Sequence, residues 1–317
     1  MTTVTLADLQ ASVRDRSAFE NLDDFRTLGG AFLEFLAQTH PTRVVSPSQS
    51  NYVFYQYGEE YGHRITRPLN QNLFIESVSE FEGAFDRFVT FLGDLKTYED
   101  AVGDRKVARS YIESRQISKV VYTAQQAIGS VSDSFANPNQ ARKRVGQLFE
   151  TLVKLAIQEV GLQCEPRTVN IPIPGHPGYA MAYQLDVVFS RNKAIIASET
   201  QHIHASEVVG SIKTTSKDRI DKVFLDKYLL TKLLGRDIPV VAIFLHDVQR
   251  AQRGESIFAI NSTFKRNHFL GYTVALNRLD GVYYVDPRPE MTTDEKLKEQ
   301  IRDFQAFLVR DLWVLSR

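Results

Sequence analysis

The chain has 317 residues, of which 43% are hydrophobic and 24% are charged, and its 38 Lys and Arg residues balance 38 Asp and Glu residues. This composition is typical of an ordinary globular protein, and zero net charge disfavours a protein that coats nucleic acid without sequence preference. No apolar run approaches the ~20 residues that span a bilayer, and the N-terminal residues lack the pattern of a secretory signal. The single cysteine, Cys164, excludes an internal disulfide and is expected to be a small core residue, so we predict a cytoplasmic protein.

Residues 1–135 are predicted to form a mainly helical N-terminal region. Apolar residues recur there at helical spacing in four segments, at residues 6–9, 25–36, 81–91 and 107–121. A polar and aromatic stretch at residues 51–67 lies between the second and third of these segments. Its Tyr, Gln, Asn and Arg side chains suit either DNA contacts or a surface hairpin with aromatic cross-strand pairs. We expect the whole region to serve in dimerisation or in DNA contact.

Residues 136–317 are predicted to form a second domain, in which helices and strands alternate. A helix begins at Asn137 and Pro138, because proline is favoured in a first helical turn, and it ends near Gly161. The segment 171–178 is too rich in proline for a central strand and is expected to be a loop. Strands are predicted at residues 183–189, 194–197, 208–214, 238–245, 256–260, 272–276 and 282–285.

Two further helices are predicted in this second domain. One spans residues 217–234, between the third and the fourth strand. The other starts at Thr293 and has one apolar stripe, formed by Leu297, Ile301, Phe304, Leu308 and Leu312. The order of these elements predicts an α/β core that follows a mainly helical region.

One lysine, Lys213, is predicted to lie between two carboxylates. The strand at residues 208–214 carries Lys213, an upstream strand carries Asp186, and the helix that follows carries Asp226. Because strand residues two apart face the same side, Ser211 is expected to point into the same site as Lys213. Carboxylates can hold a divalent ion, and a lysine can stabilise the attacking water or the charge that grows on a phosphate. This set of residues therefore predicts metal-assisted hydrolysis of a phosphodiester.

The order of helix, acidic strand, lysine strand, helix and strand, over roughly residues 138–250, resembles the PD-(D/E)xK fold of type II restriction endonucleases. Most members of that family carry an acid two residues before the lysine, where this chain has Ser211. The branch that cuts CCGG, CCNGG or CCWGG sites tolerates another residue there. It takes the missing acid from the next helix, thirteen or fourteen residues past the lysine, and Asp226 lies thirteen residues past Lys213.

The resemblance implies a fold, a cofactor and two further acidic residues of the site. The implied fold is a PD-(D/E)xK restriction-endonuclease-like core, with a mixed central sheet flanked by helices, and the implied cofactor is Mg²⁺. Asp186 is implied as the first metal ligand, although Leu185 stands where the family has proline. Glu150 is implied as the helix glutamate that reaches the metal site.

A charged element that reads C:G pairs follows the lysine in the same branch, with an Arg-(Asp/Glu)-Arg pattern. Here Lys217, Asp218 and Arg219 stand four to six residues past Lys213, with Lys in place of the first Arg. At a helix N-terminus such residues are placed where backbone N–H groups attract phosphate. Arg219 can also pair bidentately with guanine, and Asp218 can accept a hydrogen bond from cytosine.

A second assignment of the catalytic residues exists within the same fold. Glu199 follows the strand at residues 194–197 and can supply the second acid, with Gln201 in the place of the lysine.

The predicted function is that of a type II restriction endonuclease from a bacterial or archaeal cytoplasm. It would cleave double-stranded DNA with Mg²⁺ at a palindromic site that contains C:G pairs, as a homodimer or a tetramer, because two-fold protein symmetry matches a two-fold site. Two alternatives stay open: a DNA-binding protein with an inactive nuclease core, and a structure-specific repair nuclease.

Overall fold

The structure is a computed structural model, which describes residues 3–15, 17–96, 105–192, 202–217 and 219–316. The side chains of residues 105–108 are not part of this description. The predicted strand at residues 194–197 lies outside the described residues, as do Glu199, Gln201 and Asp218. Within the described ranges, no helix combines the length and the apolar character that are needed to cross a bilayer.

The helices are, in chain order, α1 (Leu6–Arg14), α2 (Leu22–Thr39), α3 (Val78–Leu95), α4 (Arg105–Ser114), α5 (Gln116–Ser132), α6 (Pro138–Glu159), α7 (Ile220–Leu234), α8 (Arg266–Ala275) and α9 (Pro289–Thr293). The strands are β1 (Thr42–Val45), β2 (Tyr52–Gln56), β3 (Leu69–Asn70), β4 (Gln163–Pro172), β5 (Ala180–Ser190), β6 (Val208–Thr215), β7 (Val240–His246), β8 (Val248–Arg253), β9 (Ser256–Ser262), β10 (Gly281–Tyr284) and β11 (Ile301–Asp303). Short helical turns also occur at Glu59–Tyr61, Phe304–Ala306, Phe307–Asp311 and Leu312–Leu315.

The chain divides into two compact units, each built from separate stretches of sequence. Unit 1 comprises Met1–Phe91, Glu113–Leu152 and Asp247–Thr263. Unit 2 comprises Leu92–Ile112, Val153–His246 and Phe264–Arg317. The boundary drawn from the sequence at residues 135 and 136 stays a prediction about domains.

Unit 1 is built around α5, which is buried along most of its length and packs beside α1 and α2. Its antiparallel sheet has the strand order β1-β2-β3. The β8–β9 hairpin contributes Val248 and Ile260 to a cluster with Tyr52 and Phe54 of β2. These two residues of β2 are buried, as are Tyr55 and Tyr57. The polar and aromatic stretch is therefore largely core from Tyr52 to Tyr57, so its prediction as a surface hairpin is wrong for that part, whereas a role of the region in DNA contact stays a prediction.

Unit 2 is built around a six-stranded mixed sheet with the order β11-β10-β7-β6-β5-β4. Strands β4, β5 and β6 pair in antiparallel fashion, whereas β6, β7, β10 and β11 are parallel. Strand β7 is buried from Val240 to Leu245, as expected for a central parallel strand that is covered on both faces. The structure thus has the mixed α/β architecture that the sequence predicted.

Three sequence predictions about single elements are wrong. Residues 272–276, predicted as a strand, lie in α8 up to Ala275. The segment predicted as one helix at residues 107–121 is two helices, because Arg115 adopts a left-handed backbone conformation (φ 54°) between α4 and α5. The expected loop at residues 171–178 begins as strand, since Ile171 and Pro172 end β4, an edge strand where proline is tolerated.

The C-terminal helix predicted from Thr293 begins later than expected, at Phe304, and continues to Leu315 with a π-helical segment at Phe307–Asp311. Ile301 belongs to β11, which extends the parallel sheet beside β10, and only residues from Phe304 onward turn helically. The residues of the expected stripe are all buried, at Leu297, Ile301, Phe304, Leu308 and Leu312. The core therefore takes up the same apolar residues partly through a strand and partly through a helix that is shorter than predicted.

Cys164 provides a test of the packing in unit 2. It lies on β4 opposite Phe189, it is fully buried, and burial raises the pKa of its thiol. Since the thiolate is the reactive form, we expect no reaction with a thiol reagent such as DTNB in the native protein and one equivalent in guanidinium chloride. The signal belongs to this residue alone, because the chain has one cysteine. Fast labelling in native buffer would contradict this packing of β4.

Candidate active site

Asp186 lies on β5 at the point where the pairing of this strand with both of its neighbours, β4 and β6, becomes irregular. Towards β4, Glu165 pairs with Val188 but Arg167 pairs with Leu185, so two β5 residues stand opposite Pro166 alone. This is a β-bulge in β5, a feature that re-aims side chains and often lies next to active sites. Proline lacks a backbone N–H, so Pro166 cannot donate a hydrogen bond to the ladder at this position.

Towards β6, the regular ladder ends at Val187, so Asp186 is the first residue of β5 outside it. The last pair is Val187 with Gly210, whereas β6 continues to pair with β7 as far as Thr215. Beyond that last pair, Oδ2 of Asp186 accepts a hydrogen bond from the backbone N–H of Ile212 at 2.7 Å. The carboxylate thus occupies the place of a missing backbone acceptor, which fixes it between the two strands.

All contacts of the Asp186 carboxylate converge on one of its oxygens. Besides Ile212, the Nζ of Lys213 and the Oγ of Ser211 donate to Oδ2, the latter at 3.3 Å. No donor among the described residues contacts Oδ1. The Asp186 side chain is 17% exposed and lines a cavity, and these bonds hold it in position through Oδ2.

Asp226 enters the same site from α7. Its Oδ2 lies 3.5 Å from the Nζ of Lys222, one helical turn earlier, and its side chain is 33% exposed. Partial burial raises the pKa of the Asp226 carboxyl; Lys222 opposes that rise, the negative charge of Asp186 adds to it, and Lys213 opposes it. The two carboxylates are therefore close enough to repel each other.

These side chains line one small cavity with a volume of about 50 Å³, which is roughly the volume of one or two water molecules. Its polar lining includes Asp186, Ser211, Lys213, Arg219, Lys222 and Asp226. The structure thus brings together the three residues that the sequence singled out as one lysine between two carboxylates. Their chemical roles stay predictions.

The rotation of α7 is fixed by Lys227, which follows Asp226 and which sequence reasoning missed. Its side chain is only 3% exposed, and its Nζ lies 2.7 Å from Oδ2 of Asp280. The same oxygen accepts the backbone N–H of Val240 at the start of β7, also at 2.7 Å. The available sequence signal was a lysine at a position on the apolar face of the predicted helix. Its partner, however, lies 53 residues away in the sequence.

Two residues of the charged element after Lys213, Lys217 and Arg219, lie before α7 rather than in its first turn. Helix α7 begins at Ile220, three residues later than predicted. The exposed Lys217 is part of a turn, and its backbone N–H donates to Oγ1 of Thr215 at 3.3 Å. Arg219 occupies the N-cap position, is exposed and lines the cavity.

Glu150 lies on the part of α6 that belongs to unit 1, where it is half-buried. The other residues of the site belong to unit 2. The predicted participation of Glu150 stays a prediction, as does the alternative assignment to Glu199 and Gln201, which lie outside the described residues.

The residues that are present fit a divalent cation of the Mg²⁺ type. Among the described residues no group of three or more His, Cys, Asp or Glu side chains is placed to hold a metal ion. Mg²⁺ does not need such a group, because it is usually bound through one or two carboxylates, together with waters and substrate phosphates. Oδ1 of Asp186 and the carboxylate of Asp226 are the oxygen ligands that the cavity offers, and their mutual repulsion is what a cation would relieve.

The sequence matches no protein-family model, and no curated protein matches it. In three dimensions the chain is similar to the type IIP restriction endonuclease Kpn2I, with a TM-score of 0.67 and 17% identity over 98% of this chain and 97% of that chain. The restriction endonuclease PspGI, in a complex with substrate DNA, has a TM-score of 0.40 and 12% identity over 62% and 80% of the two chains, which is too low to support an argument. The first similarity confirms the restriction-endonuclease fold that the sequence implied.

The electrostatics of Asp226 lead to a prediction about stability. Because its pKa is raised in the folded state, the ionised carboxylate opposes folding once the pH rises through that pKa, whereas below the pKa of the unfolded chain it has no such effect. In metal-free buffer with EDTA, Asp226→Asn should therefore raise Tm at pH 7, and the gain should shrink as the pH falls towards 4.

Asp221→Asn is the matched control for this prediction. Asp221 is exposed in the first turn of the same helix, where a carboxylate is favourable to the helix dipole. Its amide variant should not gain stability at pH 7. Thermal unfolding followed by circular dichroism measures both variants, and an equal Tm for wild type and Asp226→Asn at pH 7 would contradict the described environment of Asp226.

Proposed function

We propose that this protein is a Mg²⁺-dependent type II restriction endonuclease, which cleaves double-stranded DNA at a palindromic site with C:G pairs of the CCGG or CCNGG kind. The observation that carries this proposal is the group formed by Asp186, Lys213 and Asp226 around one cavity. It lies where β5 parts from β6, in a chain with the fold of a restriction endonuclease. Kpn2I, the protein of similar fold, is a type IIP restriction endonuclease.

The proposed reaction is the attack of water on phosphorus, with cleavage of one bridging P–O bond of the DNA backbone. Asp186 and Asp226 would hold the divalent ion, which supplies positive charge at the phosphate and lowers the pKa of bound water. Lys213 would donate hydrogen bonds to the attacking water or to a phosphate oxygen, because its amine already lies at the carboxylate that faces the cavity. Ser211 would hold Asp186 through Oδ2 and leave its Oδ1 to the cation.

The proposed partner is DNA with two-fold symmetry, bound by a homodimer or a tetramer of this chain. A symmetric dimer presents each site twice and so cuts both strands of a palindrome. Arg219 supports base recognition near the site, since it is exposed beside the cavity and carries the guanidinium group that pairs bidentately with guanine.

Digestion of phage DNA in Mg²⁺ tests the proposed function directly. Discrete fragments are expected from a sequence-specific endonuclease. A smear would indicate cleavage without a fixed sequence. That result would favour the alternative of a structure-specific repair nuclease. Specific binding in Ca²⁺ without cleavage in Mg²⁺ would indicate a DNA-binding protein with an inactive nuclease core.

Variants of the two carboxylates separate the two catalytic assignments. Asp186→Asn and Asp226→Asn should each abolish cleavage, because an amide cannot replace the negative charge that holds the divalent ion. Lys213→Gln should also be inactive, whereas Glu199→Gln should retain activity. The measurement is single-turnover cleavage of a cognate duplex in Mg²⁺, with DNA binding followed separately in Ca²⁺.

Asp221→Asn again serves as the control, because it removes an exposed carboxylate from the same helix as Asp226. It should cleave like the wild type. An inactive Glu199→Gln beside an active Asp226→Asn would transfer the second acid to Glu199 and make Gln201 the candidate for the position of the lysine.

Arg219→Ala should weaken recognition at one base pair. If Arg219 makes a bidentate guanine contact, the variant should lose ~1–3 kcal/mol of discrimination at that position. Binding to duplexes with single base-pair changes measures this loss, and Lys217→Ala provides a comparison two residues earlier in the same turn. Equal weakening on all sequences would assign Arg219 to the phosphate backbone instead.

A further inference from the structure

Each carboxylate of the site has a lysine beside it, but the two lysines differ in freedom. Lys213 extends from strand β6 to Asp186, and its side chain is 28% exposed. Lys222 extends from helix α7 to Asp226 at 3.5 Å, and its side chain is 67% exposed. Both line the same cavity. Lys213 is thus a fixed part of the site, whereas the Lys222 amine is free to change partner.

We propose that Lys222 is a displaceable counter-ion of Asp226, which yields this carboxylate to the divalent cation and then binds a phosphate of the DNA. The proposal rests on the proposed function of the same site. It assigns to Lys222 two successive partners of opposite kind, first a carboxylate of its own helix and then the substrate backbone.

The first half of the exchange follows from charge. The Lys222 amine is largely exposed, so water screens much of its attraction to the partly buried Asp226 carboxylate four residues later on the helix. A divalent cation carries twice the charge of the amine and binds the carboxylate directly. The cation and the Lys222 amine therefore compete for Asp226, and in addition they repel each other.

The second half follows from the position of Lys222. It lies in the first turn of α7, close to the N-terminus, where the helix dipole favours an anion. Arg219, one turn earlier, lines the same cavity. Once released, the Lys222 amine has a flexible four-carbon stem and lies beside a second cation, a combination that suits a phosphate.

Removal of the amine should thus change the two affinities in opposite directions. In Lys222→Gln, Mg²⁺ should bind to the DNA-free protein about two- to tenfold more tightly, because its competitor is gone. The same variant should bind DNA more weakly in Ca²⁺, and the slope of log K against log salt should decrease by about 0.9, the value for one lost phosphate contact. Isothermal titration calorimetry measures the affinity for Mg²⁺, and fluorescence anisotropy of a labelled duplex measures the affinity for DNA.

Two further variants control for charge and for helix structure. Lys232→Gln removes one charge from an exposed position on the same helix, ten residues and therefore ~15 Å away. It should leave Mg²⁺ affinity unchanged and should retain the DNA-binding slope of the wild type. Lys222→Arg keeps the charge and should behave like the wild type in the salt dependence of DNA binding.

The exchange is overturned if Lys222→Gln and Lys232→Gln have the same Mg²⁺ affinity, or if Lys222→Gln retains the full salt slope. Failure of the proposed function would give a different result. The wild type would then show no Mg²⁺ binding that is lost in Asp186 and Asp226 variants, or it would not bind duplex DNA. A wild type that passes both tests, beside a Lys222→Gln variant that matches Lys232→Gln, refutes only the role of Lys222.

Discussion

The arrangement of the site depends on one hydrogen bond, from the backbone N–H of Ile212 to the carboxylate of Asp186. Strand β6 stays paired with β7 at this level, so its N–H groups on the other side need an acceptor where the ladder with β5 ends. A buried N–H without a partner is strongly unfavourable, and the carboxylate prevents this. Because Asp186 is held by the backbone and not by a flexible side chain alone, its second oxygen has a defined direction. The Lys213 amine and the proposed cation site both depend on that direction.

The sequence allowed prediction of this pair because both residues lie on strands. The period of two and the order of acidic strand, lysine strand and helix are local properties, so Asp186 and Lys213 could be assigned to strands that contribute to one site. Their position on directly paired strands was not predicted, because another strand was expected between them at residues 194–197. The bulge opposite Pro166 could not be predicted, because it depends on β4, and nothing in residues 163–170 distinguishes an edge strand from a polar loop. An edge strand is solvated on one side and alternates too weakly to be recognised in a single sequence.

Long-range contacts explain what could not be predicted on the helical side. Position counting placed Asp226 on the correct helix, but the start of α7 is set by the carbonyl of Ser216, which accepts the N–H groups of Arg219 and Ile220 at 3.2 and 3.3 Å. The rotation of the helix is set by the pair of Lys227 and Asp280. The expected C-terminal helix starts later than predicted, at Phe304, for a related reason. Buried apolar residues at helical spacing fit a helix, but the sheet edge at β10 offered Ile301 a strand partner.

The same electrostatics explain why a serine suits position 211. Ser211 donates a hydrogen bond to Oδ2 of Asp186 at 3.3 Å, so it adds a donor to a carboxylate that already faces a second carboxylate across a small cavity. An acid at position 211 would replace this donor by an acceptor and bring a third negative charge next to Asp186. The pKa of Asp226 is already raised in part by the charge of Asp186. An acid at position 211 would thus increase the repulsion within the cavity. In the proposed site Mg²⁺ would not need it as a ligand, because one or two carboxylates usually suffice. The serine at position 211 and the carboxylate of Asp226 are thus two parts of one electrostatic arrangement.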